Sequence, residues 1–216
     1  MLRTCAAIGM LAFACFSVLW TSLAFLLSGS DYHWSDGEIG LLGLAGAAGA
    51  IAAQLAGRLA DRGRTALTTV ISALVLLGSW GLLALGEHHL ALIAGIVLLD
   101  LAHQGVHITN QSLIYALRPE VRGRITSAYM TCYFAGGAIG SALAGVVHAR
   151  AGWLGVCALG AGLAVALCLV WAVGTTRFRE WRRRQTALRD LWAVASAALM
   201  ATGLLALIAL ALRLAS

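Results

Sequence analysis

Seven stretches of this chain carry no charged residue, and their length limits the fold more than any other feature of the sequence. The stretches cover residues 4–30, 39–57, 65–86, 101–117, 125–149, 151–176 and 191–212. A helix needs about 20 apolar residues to cross a bilayer. Because the apolar residues before Asp100 extend the fourth stretch to that length, the sequence predicts seven membrane spans.

Composition and pattern both favour helices for these spans. Only 11% of the 216 residues are charged, whereas soluble domains are about a quarter charged. The Ala, Leu and Gly residues do not alternate with polar ones as barrel strands would, and helices are the other structure that satisfies its backbone hydrogen bonds in lipid. We therefore predict an all-α membrane protein with helices at about residues 4–28, 38–57, 65–86, 90–115, 125–148, 153–174 and 191–213, called predicted helices 1 to 7.

The fifteen basic residues are all arginines, and their positions predict the orientation of the chain. Thirteen of them precede predicted helix 1 or follow predicted helices 2, 4 and 6: Arg3, Arg58, Arg62, Arg64, Arg118, Arg122, Arg124, Arg177, Arg179, Arg182, Arg183, Arg184 and Arg189. Because cytoplasmic loops are enriched in Lys and Arg, we expect a cytoplasmic N-terminus in an inner or plasma membrane, and residue 216 outside. The net charge of +6 is thus a topology signal and not a nucleic-acid surface. Residues 176–190 are predicted to form a basic amphipathic linker at the cytoplasmic headgroups.

Predicted helix 4 combines an apolar span with a concentration of polar side chains. Six of them lie within twelve positions: Asp100, His103, Gln104, His107, Asn110 and Gln111. At 100° per residue, four share an arc of about 60°, and His103 and Asn110 widen it to about 120°. A helix in lipid keeps such a face where it turns toward protein, water or a solute, so this face is the predicted functional site.

Asp100 is the only acidic residue well inside a predicted span, near the middle of the membrane. A carboxyl group there is expected to bind and release protons, with His107 two turns along as a partner in sharing or relaying the proton. The alternative for the amide side chains is hydrogen bonding between helices for packing. Metal binding by Asp100, His103 and His107 is a further alternative, but we expect neither a metal nor another cofactor, because His103 lies about 60° from Asp100 around the helix.

Predicted helix 1 places aromatic rings on one face. Phe13, Phe16 and Trp20 follow each other at intervals of three and four residues, which share a helix face. Such a face is typical of packing, and the alternative is a cavity wall that contacts a ligand.

The loop after predicted helix 2 carries the string GRLADRGR from Gly57 to Arg64. It resembles the G-x-L-A-D-R-x-G-R loop signature of the major facilitator superfamily, with one residue missing between Arg62 and Gly63. The resemblance implies a conformational latch formed by Gly57, Asp61, Arg62 and Arg64. The alternative reading of the arginines is anchoring to the cytoplasmic side.

Two further features extend the resemblance over about residues 3–175. Predicted helices 2 and 5 align at an offset of 88 residues, as in the inverted 3+3 repeat of each six-helix facilitator half. The text DLAHQGVHITNQSLIYALRPEVRGR is similar to the tenth helix and following loop of drug and sugar efflux members. The chain is thus identified as one C-terminal six-helix half, residues 1–175, plus an additional helix at 191–213 that the family pattern does not contain.

The resemblance implies a transporter half that exports a small organic solute by proton-coupled alternating access. A second half is required, from a homodimer or a separate N-terminal half. The cavity is then expected to be lined by Phe16, Trp20, Asp100, Gln104, His107 and Gln111. The competing expectation is a non-transporting accessory or assembly subunit, or a truncated transporter fragment. An enzyme is not expected, because neither a nucleophile with its base nor paired carboxylates are present.

Overall fold

The computed structural model describes residues 2–27, 54, 57–59, 62–85, 89–116 and 119–177. Within these ranges the chain is nearly all helical, which confirms the helical fold class. Its elements are α1 (Leu2–Leu27), α2 (Thr65–Leu83), α3 (His89–Tyr115), a short 3-10 helix (Pro119–Val121) and α4 (Arg122–Arg177). Most of predicted helix 2, Asp61, predicted helix 7 and nearly all of the basic linker lie outside the described residues. The six-helix half, its 3+3 repeat and the domain boundaries therefore remain predictions.

The four long helices are each apolar and long enough to cross a bilayer. At about 1.5 Å per residue, α4 would measure roughly 80 Å if straight, more than twice the hydrocarbon thickness of about 30 Å. Gly152 interrupts it with φ 60° and ψ −159°, a backbone conformation that favours glycine. We call the segments on either side α4a (122–151) and α4b (153–177).

The contacts of α4a and α4b show that the chain reverses direction at Gly152. Along α4a, Gly136 lies against Met10 and Gly140 against Ala14, so α4a runs parallel to α1. Along α4b, Gly160 O lies 3.6 Å from Cys15 Sγ and Gly174 lies against Thr4, so α4b runs antiparallel to α1. The 56-residue element therefore supplies two oppositely directed spans, both packed on α1.

Helix α2 packs against α3 and α4b, on the side away from α1. The Trp153 indole donates to the Leu83 carbonyl over 2.7 Å, close to the turn at Gly152. The Trp80 ring lies over Gly160, where a side chain larger than hydrogen would overlap it. These contacts fix α2 against α4b and leave α1 in the middle of the described helices.

The core lies where α1, α2, α3 and α4b meet. Its largest fully buried side chains include Leu19, Leu76, Trp80, Ile96 and Leu167. Both segments of α4 also expose apolar side chains: Phe134 is 58% and Ile139 54% accessible on α4a, and Leu154 is 67% accessible on α4b. The polar residues of α3 are held at the contact between α3 and α1, and the candidate site is built there.

Candidate functional site

Three side-chain hydrogen bonds join α1 to α3, and we call this contact the α1–α3 seam. Asn110 Nδ2 donates to the Cys5 carbonyl over 3.2 Å, and Trp20 Nε1 donates to Asp100 Oδ1 over 3.2 Å. Between them, His103 Nδ1 lies 3.3 Å from the oxygen of Ala12. The residue numbers of these partners increase along α1 and decrease along α3, so the two helices are antiparallel. The seam spans most of the length of α1.

Asp100 is the deepest charged group of the seam. Its side chain is 3% exposed, within an otherwise apolar part of α3. The indole N–H of Trp20 is a donor only, so it bonds to a carboxyl oxygen as acceptor. Trp20 itself is half-buried and packs on the core. The predicted site residues Trp20 and Asp100 are therefore brought into direct contact.

His103 occupies the junction of three helices. Besides the Ala12 carbonyl of α1, its Nε2 lies 2.8 Å from the hydroxyl of Tyr133 on α4a. The ring is 4% exposed. The sequence placed His103 at the margin of the polar face, and the structure shows that it faces α1 and α4a.

The rings around His103 form a packed aromatic group with Phe13, Phe16 and Tyr133. Phe13 stacks on Tyr133 with ring centroids 4.2 Å apart and planes 10° apart. Phe16 lies 4.7 Å from the imidazole of His103 and 6.1 Å from Trp20. The aromatic face of α1 thus serves packing against α3 and α4a, and Phe16 joins the surroundings of Trp20 to those of His103.

The remaining members of the polar face lie beside the seam. Gln104, His107 and Gln111 are half-buried. Gln111 Nε2 and His107 Nε2 are 3.1 Å apart, one turn along α3. The second nitrogen of His107, Nδ1, lies 3.5 Å from the Tyr129 hydroxyl, and its ring is 4.6 Å from that of Tyr133. His107 therefore bonds to Gln111 and Tyr129, whereas Asp100 bonds to Trp20.

Tyr129 and Tyr133 complete the site, and the sequence reasoning did not assign them to it. Both are buried, with 1% and 6% exposure, and each hydroxyl meets one histidine of α3. Residues four apart share a face of a helix, so their spacing was the available signal. Nothing in the sequence indicated that this face of α4a would meet α3.

The metal alternative receives no support from the geometry of the described residues. Among them, no three His, Cys, Asp or Glu side chains are grouped closely enough to hold a metal ion. His103, the central member of the trio considered, uses its two nitrogens for Ala12 and Tyr133.

The loop that resembles the facilitator signature is described in part. Gly57 is helical, Arg62 and Gly63 form a turn, and Gly63 has φ 71°. The Arg64 N–H donates to the Leu59 carbonyl over 2.9 Å, which leads the chain into α2. The side chains of Arg62 and Arg64 are exposed, and Asp61 lies outside the described residues.

Several apolar spans with buried polar groups at their contacts define a multi-pass helical membrane protein. A model of the Major Facilitator Superfamily matches residues 5–215, and the chain belongs to that family. This is a family of transporters, which agrees with the expectation of a non-enzyme.

Known relatives have transporter names. The chain is 52% identical over 177 residues to "Putative uncharacterized transporter YgaY" of Escherichia coli K12, covering 82% of this chain and 45% of that protein. The same figures hold for "Uncharacterized transporter YgaY" of Escherichia coli O157:H7. It is 36% identical over 149 residues to "Probable transporter SCO4007" of Streptomyces coelicolor, covering 68% of this chain and 34% of that protein. The chain thus spans less than half the length of these relatives.

Proposed function

We propose that this chain is one half of a secondary transporter that exports a small organic solute by proton-coupled alternating access. The observation that carries the proposal is the contact between Asp100 and Trp20, because it places the one carboxyl group of α3 at the joint between two spans. Family membership supports transport as the process. The export direction and the C-terminal half are carried by the resemblance of residues 100–124 to efflux members.

The Asp100 contact offers a physical route from proton binding to movement of helices. Hydrogen bonds to an ionised group are about twice as strong as those between neutral groups. Binding of a proton to Asp100 therefore weakens its bond to Trp20 and removes a charge that is costly in an apolar span. Both effects change how firmly α3 holds α1, and these helices rock against the second half in the proposed cycle.

The solute is proposed to contact the half-buried polar side chains beside the seam. Gln104, His107 and Gln111 present amide and imidazole groups that both donate and accept hydrogen bonds. Phe16 and Trp20 contribute apolar ring surface. In this arrangement Asp100 binds and releases the proton, and the neighbouring amide and imidazole groups bind the solute.

The loop at Gly57, Asp61, Arg62 and Arg64 is proposed to act as the conformational latch of the half. The turn at Gly63 supports a compact loop whose arginines are exposed for contact with a partner. The second half is supplied by another copy of this chain or by a separately encoded N-terminal half.

One observation favours a second candidate function. Because the chain spans 45% of the length of its Escherichia coli relatives, it is alternatively a non-transporting accessory subunit or a truncated transporter fragment. The two candidates differ in whether the chain, alone or with an added N-terminal half, moves any solute.

Reconstitution of the chain in proteoliposomes tests the proposal. We expect uptake of ethidium or radiolabelled lactose into the proteoliposomes when a pH gradient, acidic inside, is imposed, and we expect Asp100→Asn to abolish proton-coupled uptake at unchanged protein content. Unchanged uptake in Asp100→Asn would remove Asp100 from the coupling mechanism. Absence of uptake both with the chain alone and with the N-terminal half of a relative supplied would favour the accessory candidate.

A further inference from the structure

The bond between His103 and Ala12 fixes the position of one hydrogen on the imidazole. Nδ1 of His103 lies 3.3 Å from the Ala12 oxygen, and a backbone carbonyl only accepts hydrogen bonds. Nδ1 therefore carries a hydrogen. In a neutral imidazole the other nitrogen is then an acceptor.

The bond to Tyr133 fits this neutral form. The Tyr133 hydroxyl, 2.8 Å from Nε2, donates to it, so each nitrogen of His103 has a suitable partner on a different helix. The ring is 4% exposed, and among the described residues no carboxylate bonds to it or stacks on it. Its neighbours are the rings of Phe13, Phe16, His107 and Tyr133. The neutral ring leaves neither of its nitrogens unpaired, and a charged imidazolium would have no carboxylate bonded to it.

The place of His103 along the seam connects it to Asp100. The two residues are three positions apart on α3, about 4.5 Å along the helix axis. A slip of α3 along α1 by one residue would move Asp100 by about 1.5 Å, enough to lengthen a hydrogen bond beyond its working range. The Trp20 to Asp100 distance of 3.2 Å thus depends on the register of the two helices. Among the residues that α3 contributes to the seam, His103 is the nearest to Asp100 along the helix, and it also bonds to Tyr133 of α4a.

We propose that His103, held as the neutral Nδ1–H form by Tyr133, is a positioning residue that sets the register of α3 on α1 and thereby holds Asp100 against Trp20. The inference rests on the proposed function only for the role of Asp100 in coupling. The geometry that it concerns can be measured without a solute.

Nitrogen-15 NMR of the full chain in bilayers, with labelled histidine, tests the form of the imidazole. The His103 signals are assigned by their loss in His103→Asn, since the chain has six histidines. We expect Nδ1 protonated and Nε2 unprotonated. Tyr133→Phe keeps the ring that stacks on Phe13 and removes the hydroxyl, so the Nε2 signal should shift, whereas Tyr129→Phe, the matched control beside His107, should leave it in place. A protonated Nε2, or no shift in Tyr133→Phe, would overturn the assignment.

Carbodiimide labelling of Asp100 tests the positioning role. Dicyclohexylcarbodiimide modifies buried carboxyl groups, intact-mass measurement gives the rate, and Asp100→Asn supplies the blank. The side-chain amide of His103→Asn replaces the Nδ1 donor and keeps the bond to Ala12, whereas the longer His103→Gln reaches toward Tyr133 and loses that bond. We expect Asp100 to be labelled in His103→Asn at a rate within about twofold of that in the native chain. In His103→Gln and in His103→Leu we expect labelling at least about fivefold faster, because Asp100 loses its bond to Trp20.

The pair of amide variants separates positioning from general loss of structure. His103→Asn and His103→Gln are both polar and uncharged and differ in the reach of the amide. Their labelling rates can therefore be compared even if His103→Leu does not fold. Equal labelling of Asn and Gln, or native labelling of Leu, would overturn the positioning role. A failure of solute uptake would contradict the transport proposal and leave both readouts of His103 unchanged.

Discussion

At the residue scale, the polar face of α3 divides into two sets with different partners. Asp100, His103 and Asn110 bond to groups of α1, two of them to backbone carbonyls. Gln104 and His107 lie beside them, half-buried. Hydrogen bonding between helices, the packing alternative for the amide side chains, describes Asn110, and His103 makes a bond of the same kind. Asp100 differs from them because its partner is a side chain and its own charge can change.

Replacement of Trp20 by Phe should remove the hydrogen bond to the Asp100 carboxyl group while keeping most of the ring packing. If the carboxyl group is ionised, the lost bond should lower the free energy of unfolding by about 1.5–3 kcal/mol. Trp153→Phe is the matched control, because it also removes one indole donor, from the Leu83 carbonyl, and should cost about 0.5–1.5 kcal/mol. Unfolding in mixed detergent micelles measures both values. Faster carbodiimide labelling of Asp100 is expected in Trp20→Phe, and an equal increase in the control would contradict the role of this bond.

At the element scale, α1 is in contact with α3 and with both segments of α4. Close approach to α4a depends on glycine, because a side-chain carbon at Gly140 would lie 2.5 Å from the Ala14 carbonyl oxygen. The same is true at Gly136, which lies against Met10. Small residues permit such contact between membrane helices. The α1–α4a contact is therefore sensitive to added volume at these two glycines.

Gly140→Ala should destabilise the protein, because the added methyl group forces α1 and α4a apart. The expected cost is about 1–3 kcal/mol, the range typical of overpacking. Gly145→Ala is the control on the same segment, since nothing lies within 4 Å of its added carbon. Thermal unfolding in detergent compares the two variants. A loss in Gly145→Ala as large as that in Gly140→Ala would show that the effect comes from the helix itself and not from the contact with α1.

Within the described residues, the sequence predicted helical spans but not the contacts between them. Charge-free runs such as residues 65–86 predict a helix because lipid offers no partner for backbone groups, and the structure has Thr65–Leu83 there. The polar face of α3 followed from its periodicity for the same local reason. The bond of His103 to Ala12 depends on which helices pair and in which register, and residues 91 positions apart carry no local signal of that pairing.

At the scale of the whole molecule, the described residues form a packed set of spans, and α4a is one of the segments that expose apolar side chains. Phe134 and Ile139 are more than half exposed there. A complete facilitator has two halves related by an axis along the membrane normal, and the homodimer proposal has two copies of this chain face each other in the same orientation. Assembly is therefore the property of the whole molecule that the proposed function most depends on.

The homodimer proposal predicts a discrete species of twice the 22.5 kDa chain mass in mild detergent. Native mass spectrometry of the purified chain measures it directly, with lipid and detergent removed in the gas phase. A strictly monomeric mass would favour a separate N-terminal half as the partner. Ile139→Arg, on the exposed side of α4a, should reduce the dimer fraction if that side forms the contact, and Arg3→Ala serves as a control at a distant exposed position.

The turn at Gly152 also affects how the protein is made. It returns α4b along α1 until Gly174 meets Thr4, so the two ends of this contact lie 170 positions apart in the sequence. At about 5–20 residues per second, the ribosome needs roughly 10–30 s to add the residues between them. For most of that interval α1 is already synthesised while its contact with α4b is not yet formed, and α4a is completed before α4b. Among the described helices, α1 is therefore synthesised first, and its contact with α4b is one of the last to be completed during biosynthesis.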